Sequence, residues 1–365
     1  MMIGLLAVGS SSVVVLANDA AIEAVRAKRN VEFGVPFIRS GNNQPEQRRN
    51  KLIADLGDVI GAASAHDLSS ATHVHSAGYV HFFETGYSRW QSELSSDASY
   101  LLPGANNAED APTLVPFHCA KSSTPRSSGL AAEFACYMSD FETPLCETTA
   151  RTLRDDLGVV EASVEHLVSS DGVAYALTTH PGHHAGPGYS SGFCYFNNAC
   201  VACSLLQQTG LEPALLDLDF HGGNGSLDCA EAMSLWFKSL HCAGAYPWVD
   251  MDSQGVEIAP GTGWASGYAA ALEAALASLP ASTSVLVVSM GYDTLATDPE
   301  AGKRAGVGLG LEPPNFYAMG EMLAGACRKV LIVQEGGYDL HGAGEAAKAL
   351  VAGLTAHAEG ELAHR

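Results

Sequence analysis

The sequence predicts an α/β fold in which one parallel β-sheet is sandwiched between helices. Short apolar runs rich in β-branched residues alternate along the chain with longer segments of helical periodicity. Strands that are joined by helical crossovers pair in parallel, and such sheets are covered on both faces. Ligands bind outside the carboxyl ends of these strands, which is where the polar residues of interest lie.

The predicted elements follow one another regularly. The strands, which share short β-branched runs, are 13–17, 173–178, 214–220, 235–240, 285–289 and 330–333. The helices, which share apolar residues at helical spacing, are 148–168, 199–208, 268–279, 316–327 and 345–354. Residues 86–144 show little periodicity, so we expect a long functional or oligomerisation loop inserted into one domain that spans residues 1–365.

Composition excludes several classes of protein. Hydrophobic residues make up 47% of the 365, which is enough for a large core and excludes a disordered chain. The 19 Lys and Arg against 40 Asp and Glu give a net charge of −21, which argues against a nucleic-acid or anionic membrane partner. This acidity fits solubility, a salty habitat or a cationic ligand. No stretch reaches the ~18 consecutive apolar residues of a membrane span.

The cysteines indicate a reducing compartment. Nine cysteines, an odd number without framework spacing, predict free thiols and a cytoplasmic location. Cys200 and Cys203 form a C-x-x-C pair inside an apolar helical run, which favours two core thiols over a redox or metal pair. The apolar N-terminus has no Lys or Arg before Arg26, so residues 13–17 predict a strand rather than part of a signal peptide.

Asp217, Asp219 and His221 follow one another at alternate positions at the end of a predicted strand. Alternate side chains of a strand project to one side, so we expect these three to converge. Asp293 ends another strand and adds a carboxylate. Two carboxylates and an imidazole form a three-ligand site with room for water, as expected of catalytic zinc, although iron and cobalt accept the same donors. The spacing alone leaves open that an aspartate caps the next helix.

Two further segments place polar groups after strand ends. His183 and His184 are adjacent and flanked by Pro and Gly, which suits general acid–base chemistry, although a structural turn also explains the pair. Tyr338 follows two glycines that allow a sharp backbone turn, and its hydroxyl could donate to a developing oxyanion.

Taken together, these segments resemble the zinc-dependent deacetylase family, which includes histone deacetylases and bacterial acetylpolyamine amidohydrolases. The resemblance implies the single-domain arginase/deacetylase-like fold and is closest to the acetylpolyamine amidohydrolase branch. The matching segments keep the family's order, and they are 181–185, 192–198, 217–225, 291–294, 298–299 and 335–338.

The resemblance implies a metal centre with one catalytic Zn²⁺ ion. Asp219, His221 and Asp293 match its ligands, and Tyr338 matches the tyrosine that polarises the amide carbonyl together with the zinc. A structural monovalent cation, usually K⁺, is also implied. The residues that match its surroundings are Asp217, Asp219 and Ser239, the last within the segment 239–241.

The resemblance also assigns the acid–base groups. His183 and His184 match tandem histidines that activate the attacking water and protonate the leaving amine. Asp217 matches the carboxylate partner of the first histidine, and Asn224 lies at the partner position of the second. Because a carboxylate raises imidazole basicity and an amide mainly orients the ring, we expect the two pKa values to differ.

A narrow substrate channel is implied as well. Gly192 and Phe193, with Tyr246 opposite, match positions that enclose an extended aliphatic chain, although ordinary core packing also explains single aromatics. Glu300 falls at a rim position that is a glutamate in members resembling polyamine deacetylases, where a carboxylate would attract a second ammonium group. A solvated loop charge is the alternative. Residues 86–144 resemble the loop that pairs subunits in acetylpolyamine amidohydrolases, which implies a homodimer.

The chain departs from the family at three places. A glycine, Gly222, stands where the family has a second histidine after His221, a residue that is not a zinc ligand there. His180 replaces the more usual proline before the tandem histidines, and the segment after Tyr246 is shortened. We therefore expect a site that is more open on that side.

The sequence thus predicts a zinc-dependent amidohydrolase that removes an acetyl or short acyl group from a small cationic amine such as an acetylpolyamine. In this interpretation His184, helped by His183, is the base. An acyl-lysine (histone-type) deacetylase is the alternative within the family, and another small amide or ester is more distant. A non-catalytic module that keeps the zinc site for binding is the competing class, which the intact set of site residues disfavours.

Overall fold

The computed structural model describes residues 13–26, 45–93, 129–140, 142–299 and 308–363. Eight strands form one sheet in the order β2-β1-β3-β8-β7-β4-β5-β6, and every neighbouring pair is parallel. The strands are β1 Val13–Asn18, β2 Ile60–Ala62, β3 Gly172–Ala176, β4 Pro213–Asp217, β5 Trp236–Cys242, β6 Gly255–Ile258, β7 Val285–Met290 and β8 Lys329–Gln334. The predicted parallel α/β sheet is confirmed.

Helices cover both faces of the sheet. They are α1 Asp19–Arg26, α2 Pro45–Leu56, α3 Ala77–Glu93, α4 Leu130–Tyr137, α5 Thr149–Ser169, α6 Asn198–Gln208, α7 Asn224–Met233, α8 Ala269–Ala277, α9 Pro313–Ala326 and α10 Leu340–Ala363. The sheet separates two apolar cores. In β8, for example, Leu331 and Val333 pack into the core beneath α3 to α7, while Val330 and Ile332 pack into the core with α1, α2 and α8 to α10.

The strand register aligns four carboxyl ends at the centre of the sheet. β3, β8, β7 and β4 are neighbours, and Val333 of β8 pairs with Ala176 of β3 and with Ser289 of β7. Ser289 in turn pairs with Asp217, the last residue of β4. Segments that follow these four strands therefore leave the sheet side by side, which is where parallel sheets bind their ligands.

The prediction of one long loop at 86–144 is wrong in its described parts. Residues 86–93 complete α3 and residues 130–137 form α4, and the two helices pack together through Phe82 and Phe134, whose ring centres are 5.0 Å apart. Arg89 and Glu133 form an ion pair between them at 2.7 Å. Residues 86–93 are only the last two turns of α3, and α4 has eight residues, so each is too short within this interval for a clear periodic signal. Residues 94–128 and 141 lie outside the described residues.

Short edge strands and connecting helices were also missed. β2 has three residues and β6 has four, which is too short for a periodic signal.

The eight cysteines in the described residues are free thiols, and the predicted burial of Cys200 and Cys203 in the core is confirmed. In the described ranges, no helix combines the length and apolar content that crossing a bilayer requires.

His75 ties the segment before α3 to the loop that carries the tandem histidines. Its Nδ1 donates to the carbonyl of Gly186 at 2.9 Å, and its Nε2 accepts from the backbone N–H of Asn197 at 2.9 Å. The ring is buried and stacks on Tyr79. Burial lowers the pKa of His75 to about 4, so the folded protein holds this imidazole neutral.

We expect His75 to make stability depend on pH. An unfolded chain protonates this histidine below pH ~6.5, whereas the folded protein does so only below its folded pKa of about 4. The free energy of unfolding should therefore fall on acidification through this window, by up to ~3 kcal/mol from this residue, and its full contribution is present above the window. Denaturant titrations of wild type and His75→Gln at several pH values measure it: the variant should be less stable at pH 7 but lose less stability on acidification.

His73→Gln provides the matched control because His73 lies two residues away and is exposed. It should keep the wild-type pH slope. Equal slopes for wild type and His75→Gln would contradict the assignment.

Candidate functional site

The predicted site residues leave four neighbouring strands. The tandem histidines follow β3, Tyr338 follows β8, Asp293 follows β7, and Asp219 and His221 follow β4. β4 ends at Asp217, so the predicted alternation along a strand does not extend to His221. Side-chain contacts fix the backbone there instead, since Phe220 N donates to Asp293 Oδ1 at 3.1 Å and His221 N donates to Asp219 Oδ1 at 2.9 Å.

Asp219, His221 and Asp293 converge as a candidate metal centre. Each offers one ligand atom, and these atoms all lie within 4.8 Å of one another. His221 Nδ1 is 3.1 Å from Asp219 Oδ1 and 3.1 Å from Asp293 Oδ2. Both carboxylates are fully buried. Two carboxylates and one imidazole facing a common point fit a divalent cation with an open coordination position.

The electrostatics of these three groups favour a cation between them. Burial and the Asp219 charge raise the pKa of Asp293 to about 7. Burial acts in the opposite sense on His221, but hydrogen bonds to Asp219 and Asp293 raise the pKa of His221 to about 10. A proton on the His221 imidazole thus neutralises part of the negative charge of the Asp219 and Asp293 carboxylates. A divalent cation can replace that proton, since metal ligands bind in their deprotonated forms.

Glycine at position 336 lets the backbone approach the metal ligands closely. The Gly336 N–H donates to Asp219 Oδ2 at 2.9 Å. A Cβ at this position would lie 2.5 Å from Asp293 Oδ2 and 2.6 Å from Asp219 Oδ2, which is closer than such contacts permit. A residue with a side chain would therefore displace a ligand carboxylate.

The described residues contain a second group of metal-type donors, but its members are hydrogen-bonded to other groups or protonated. It consists of His183, Cys194 and Glu335. His183 Nδ1 donates to Asp217, and Glu335 accepts from two backbone amides and from Ser289. Burial raises the pKa of Cys194 well above its usual value, so its thiol stays protonated. This group is therefore less suited to a cation than the first.

The tandem histidines have different partners, as the resemblance implies. His183 Nδ1 donates to Asp217 Oδ2 at 3.0 Å, and His184 Nδ1 donates to Asn224 Oδ1 at 2.8 Å. The two ring centres are 3.9 Å apart. His183 Nε2 lies 3.7 Å from Asp219 Oδ1, which places the pair beside the candidate metal centre.

Their partners separate the two pKa values. Burial alone would lower the pKa of His183, but the charges of Asp219 and Asp217 outweigh it and raise that pKa well above its usual value. Burial and the neighbouring His183 charge lower the pKa of His184 well below its usual value, and Asn224 supplies no compensating charge. One imidazole of the pair is thus held protonated and the other neutral.

Two buried carboxylates that sequence reasoning missed support the histidine segment. Glu335 Oε2 accepts from the N–H of Gly182 at 2.5 Å and from that of His183 at 3.2 Å. Asp156 of α5 accepts from His180 Nδ1 at 2.9 Å, so the unusual histidine at position 180 is a buried structural group. Glu335 was visible only as part of a motif, and Asp156 gave no local signal because its partners are more than twenty residues away.

Tyr338 lines the same cavity as the metal donors and the tandem histidines. Asp298, which sequence reasoning gave no role, fixes its backbone by accepting from Tyr338 N at 2.6 Å and from Asp339 N at 3.0 Å. Burial and the Asp293 charge raise the pKa of Tyr338 well above its usual value. The hydroxyl therefore keeps its proton and can act as a hydrogen-bond donor.

The cavity is a narrow slot with about 40 Å³ open to water. Gly192, Phe193 and Tyr246 line it, which is where the resemblance puts the channel walls. Phe193 has a positive φ of 72°, an uncommon conformation for an aromatic residue. Thr143 stabilises it, because its Oγ1 accepts from Phe193 N at 2.9 Å.

Glu142 is an acidic residue of the slot that sequence reasoning missed. It is half-buried and lines the cavity with Tyr338 and Tyr246. Asp140 positions it: Asp140 Oδ1 accepts from the N–H groups of Glu142 and Thr143, both at 2.9 Å, and its Oδ2 accepts from Gly192 N at 2.6 Å. Both acids lie in the segment predicted to be a loop, where nothing in the sequence indicated a contact with residue 192.

The remaining predicted residues are placed as follows. Ser239 pairs in register with Asp217 across β5 and β4, and Ser239 Oγ lies 3.1 Å from His241 Nδ1. Asp217, which accepts a hydrogen bond from His183, thus lies next to Ser239, and the resemblance puts the monovalent cation in this region. Glu300, the predicted rim carboxylate, lies outside the described residues, so its role stays a prediction.

Comparisons with known proteins agree with this geometry. The family profile described as "Histone deacetylase domain" matches residues 46–354. "Acetylpolyamine amidohydrolase 1" of Pseudomonas aeruginosa is 29% identical over 341 residues, which cover 86% of this chain and 93% of that protein. "Histone deacetylase 15" of Arabidopsis thaliana is 31% identical over 209 residues, which cover 48% of this chain and 34% of that protein.

A solved structure has the same fold. The crystal structure of acetylpolyamine aminohydrolase from Burkholderia pseudomallei superposes with a TM-score of 0.75 and 22% sequence identity. The superposition covers 94% of this chain and 99% of that one. The eight-stranded parallel sheet with its flanking helices is therefore the deacetylase-type fold that the resemblance implied.

We expect His221→Ala to abolish tight binding of one Zn²⁺ ion. Changes behind a metal ligand already cost about 10–100-fold in affinity, so removal of a ligand should cost more than ~100-fold. Zinc titration and metal analysis of the purified proteins measure the effect. His341→Ala, which alters an exposed histidine of α10, is the control and should bind zinc as wild type does. One tightly bound zinc in His221→Ala would contradict the assigned ligands.

Proposed function

The chain belongs to the histone deacetylase domain family, and from this premise we propose that it is a zinc-dependent amidohydrolase that deacylates a small cationic amine such as an acetylpolyamine. One observation carries the proposal: a tandem histidine pair, a protonated tyrosine and two members of a three-residue metal-type cluster, Asp219 and His221, line a single narrow slot. The Pseudomonas relative, which matches over most of both chains, is named for acetylpolyamine hydrolysis.

Asp219, His221 and Asp293 would hold the zinc ion. When bound, zinc would supply a Lewis acid that polarises the amide carbonyl and lowers the pKa of a water molecule. The buried pair of carboxylates beside one imidazole nitrogen supports this assignment, because their mutual repulsion needs a neighbouring positive charge.

His184 would act as the base. Its Nδ1–H is occupied by the amide oxygen of Asn224, which cannot donate, so the free lone pair is on Nε2. The Asn224 side chain is oriented by its own Nδ2–H, which donates to the hydroxyl of Tyr189 at 3.2 Å. A lowered pKa keeps Nε2 unprotonated near neutrality, ready to accept a proton from the attacking water.

His183 would supply a proton to the departing amine. Asp217 accepts from its Nδ1, and the charges of Asp219 and Asp217 raise its pKa, so Nε2 carries the second proton. Tyr338 would donate to the carbonyl oxygen as negative charge develops there, because burial keeps its hydroxyl protonated. The two histidines would thus divide the proton transfers, and the tyrosine would supply a hydrogen bond, from side chains that line one cavity.

The slot supports a small cationic substrate. Phe193 and Tyr246 offer apolar walls to an aliphatic chain, and Glu142 adds a carboxylate to the same lining. A half-buried carboxylate attracts an ammonium group more strongly than one in bulk water. An acylated diamine carries both features, a methylene chain and an ammonium group at its unacylated end.

Further parts of the proposal concern the surroundings of the site. We propose that K⁺ is bound near Asp217, Asp219 and Ser239, and that the chain forms a homodimer through the insertion at 86–144. A cytoplasmic location is proposed because the cysteines of the described residues are unpaired, as reducing compartments keep them. A nucleic-acid partner is not proposed, since the net charge is −21.

We expect the zinc-loaded protein to hydrolyse N-acetylputrescine and Tyr338→Phe to do so at least ~100-fold more slowly, since loss of one oxyanion donor costs 10²–10³ in kcat. Release of acetate, measured with zinc content in parallel, tests both statements. The Phe variant should bind zinc normally. Wild-type protein that holds zinc and hydrolyses neither N-acetylputrescine nor an acetyl-lysine peptide would favour a non-catalytic binding module.

Glu142→Gln should separate the two candidate substrate classes. The change removes the charge and keeps the shape, so kcat/KM for N-acetylputrescine should fall by about 5–10-fold, the effect of ~1 kcal/mol of charge–charge attraction at a partly exposed site. The value for a neutral acetyl-lysine peptide should change less than twofold. Asp171→Asn, an exposed acid that precedes β3, is the control. A parallel loss for both substrates would favour acyl-lysine as the natural class.

A further inference from the structure

Trp248 is the most exposed large apolar side chain of the described residues. It is 67% exposed, and the adjacent Val249 is 53% exposed. Its backbone has a φ of 58°, which is uncommon for a bulky residue, and its N–H donates to the carbonyl of Ala245 at 3.2 Å. The chain thus holds an indole ring in water next to Tyr246 of the slot wall, and an indole offers a large, rigid aromatic surface to a ligand.

Three rings connect the active site to this indole. His184 meets Tyr246 edge to face with ring centres 4.7 Å apart, and Tyr246 meets Trp248 edge to face at 5.2 Å. His184 is buried, Tyr246 is half-buried and Trp248 is exposed. The row therefore runs outward, from the proposed base through Tyr246 of the slot wall to an exposed ring at the protein surface.

Carboxylates flank the middle ring of this row. The hydroxyl groups of Tyr246 and Ser191 are hydrogen-bonded to each other. Burial raises the pKa of Tyr246, and the nearby charges of Asp140 and Glu142 raise it further. Glu142 lines the slot beside it. An aromatic face next to negative charge is suited to a ligand that carries methylenes and a positive charge.

We propose that Trp248 forms an outer subsite that binds the distal ammonium group and adjoining methylenes of the substrate by cation–π and apolar contact. The proposal rests on the proposed function, because it takes the acylated amine to enter the slot with its amide inward. It assigns to Trp248 a role in choosing among amines, separate from the chemistry at the amide. The indole is available for this role because most of the residue is exposed in addition to its edge-to-face contact with Tyr246.

The test compares two substrates that differ only in charge. N-acetylputrescine has a terminal ammonium group, and N-butylacetamide has the same four-carbon chain without it. For each protein, the ratio of kcat/KM for the charged substrate to that for the neutral one is measured. Trp248→Ala should lower this ratio about fivefold, and Trp248→Phe should lower it less, because a smaller aromatic face remains. Val249→Ala, an adjacent change of comparable exposure, should leave the ratio at its wild-type value.

A binding measurement gives an independent readout. Titration of Tyr338→Phe protein with N-acetylputrescine should change its tryptophan emission, and the change should disappear when Trp248→Phe is added. An unchanged ratio in Trp248→Ala, an equal effect of Val249→Ala, or an emission change that persists without Trp248 would overturn the subsite. Wild type that hydrolyses neither amide would overturn the proposed function instead, and the emission titration with putrescine would then decide the subsite by itself.

Discussion

Two buried carboxylates that face one imidazole nitrogen are the constraint on which the rest of the site depends. Asp219 and Asp293 leave different strands, yet both lie 3.1 Å from His221 Nδ1. Such a concentration of negative charge is unfavourable unless hydrogen-bond donors and a cation oppose it. The fold supplies backbone N–H groups from Gly336 and Phe220, and it can do so because parallel neighbouring strands end at one edge. The geometry of the candidate metal centre therefore depends on the order of the strands in the sheet as well as on the identity of the ligand residues.

The two tandem histidines have different hydrogen-bond partners and different neighbouring charges, which suits them to the two different roles proposed for them. They are adjacent in the chain and both are buried, but His183 donates to the carboxylate of Asp217 and His184 donates to the amide oxygen of Asn224. The charges of Asp219 and Asp217 raise the pKa of His183, whereas burial and the charges of His183 and His221 lower the pKa of His184. A base and an acid are thus available at the same pH from one residue type.

The sequence was sufficient for six of the eight strands and for the metal donors, the tandem histidines and the tyrosine of the candidate site. Strand ends carry those groups at fixed spacing, as in Asp217, Asp219 and His221, so a local pattern reveals them. The supporting residues could not be predicted, because their partners are distant in sequence. Glu335 meets Gly182 across 153 positions, and Asp140 meets Gly192 across 52. The helices at the ends of the insertion were missed because each contributes only eight residues to it, which is too short for a clear periodic signal.

Asp140 determines both the width of the slot entrance and the position of its negative charge. Its carboxylate accepts N–H groups from the segment that bears Glu142 and from Gly192, which begins the aromatic wall. The width of the entrance and the position of its negative charge therefore cannot vary independently. A mutation that shifts this anchor changes size selection and charge selection together, so divergence in substrate range within such enzymes should proceed by paired steps rather than by gradual drift in either property.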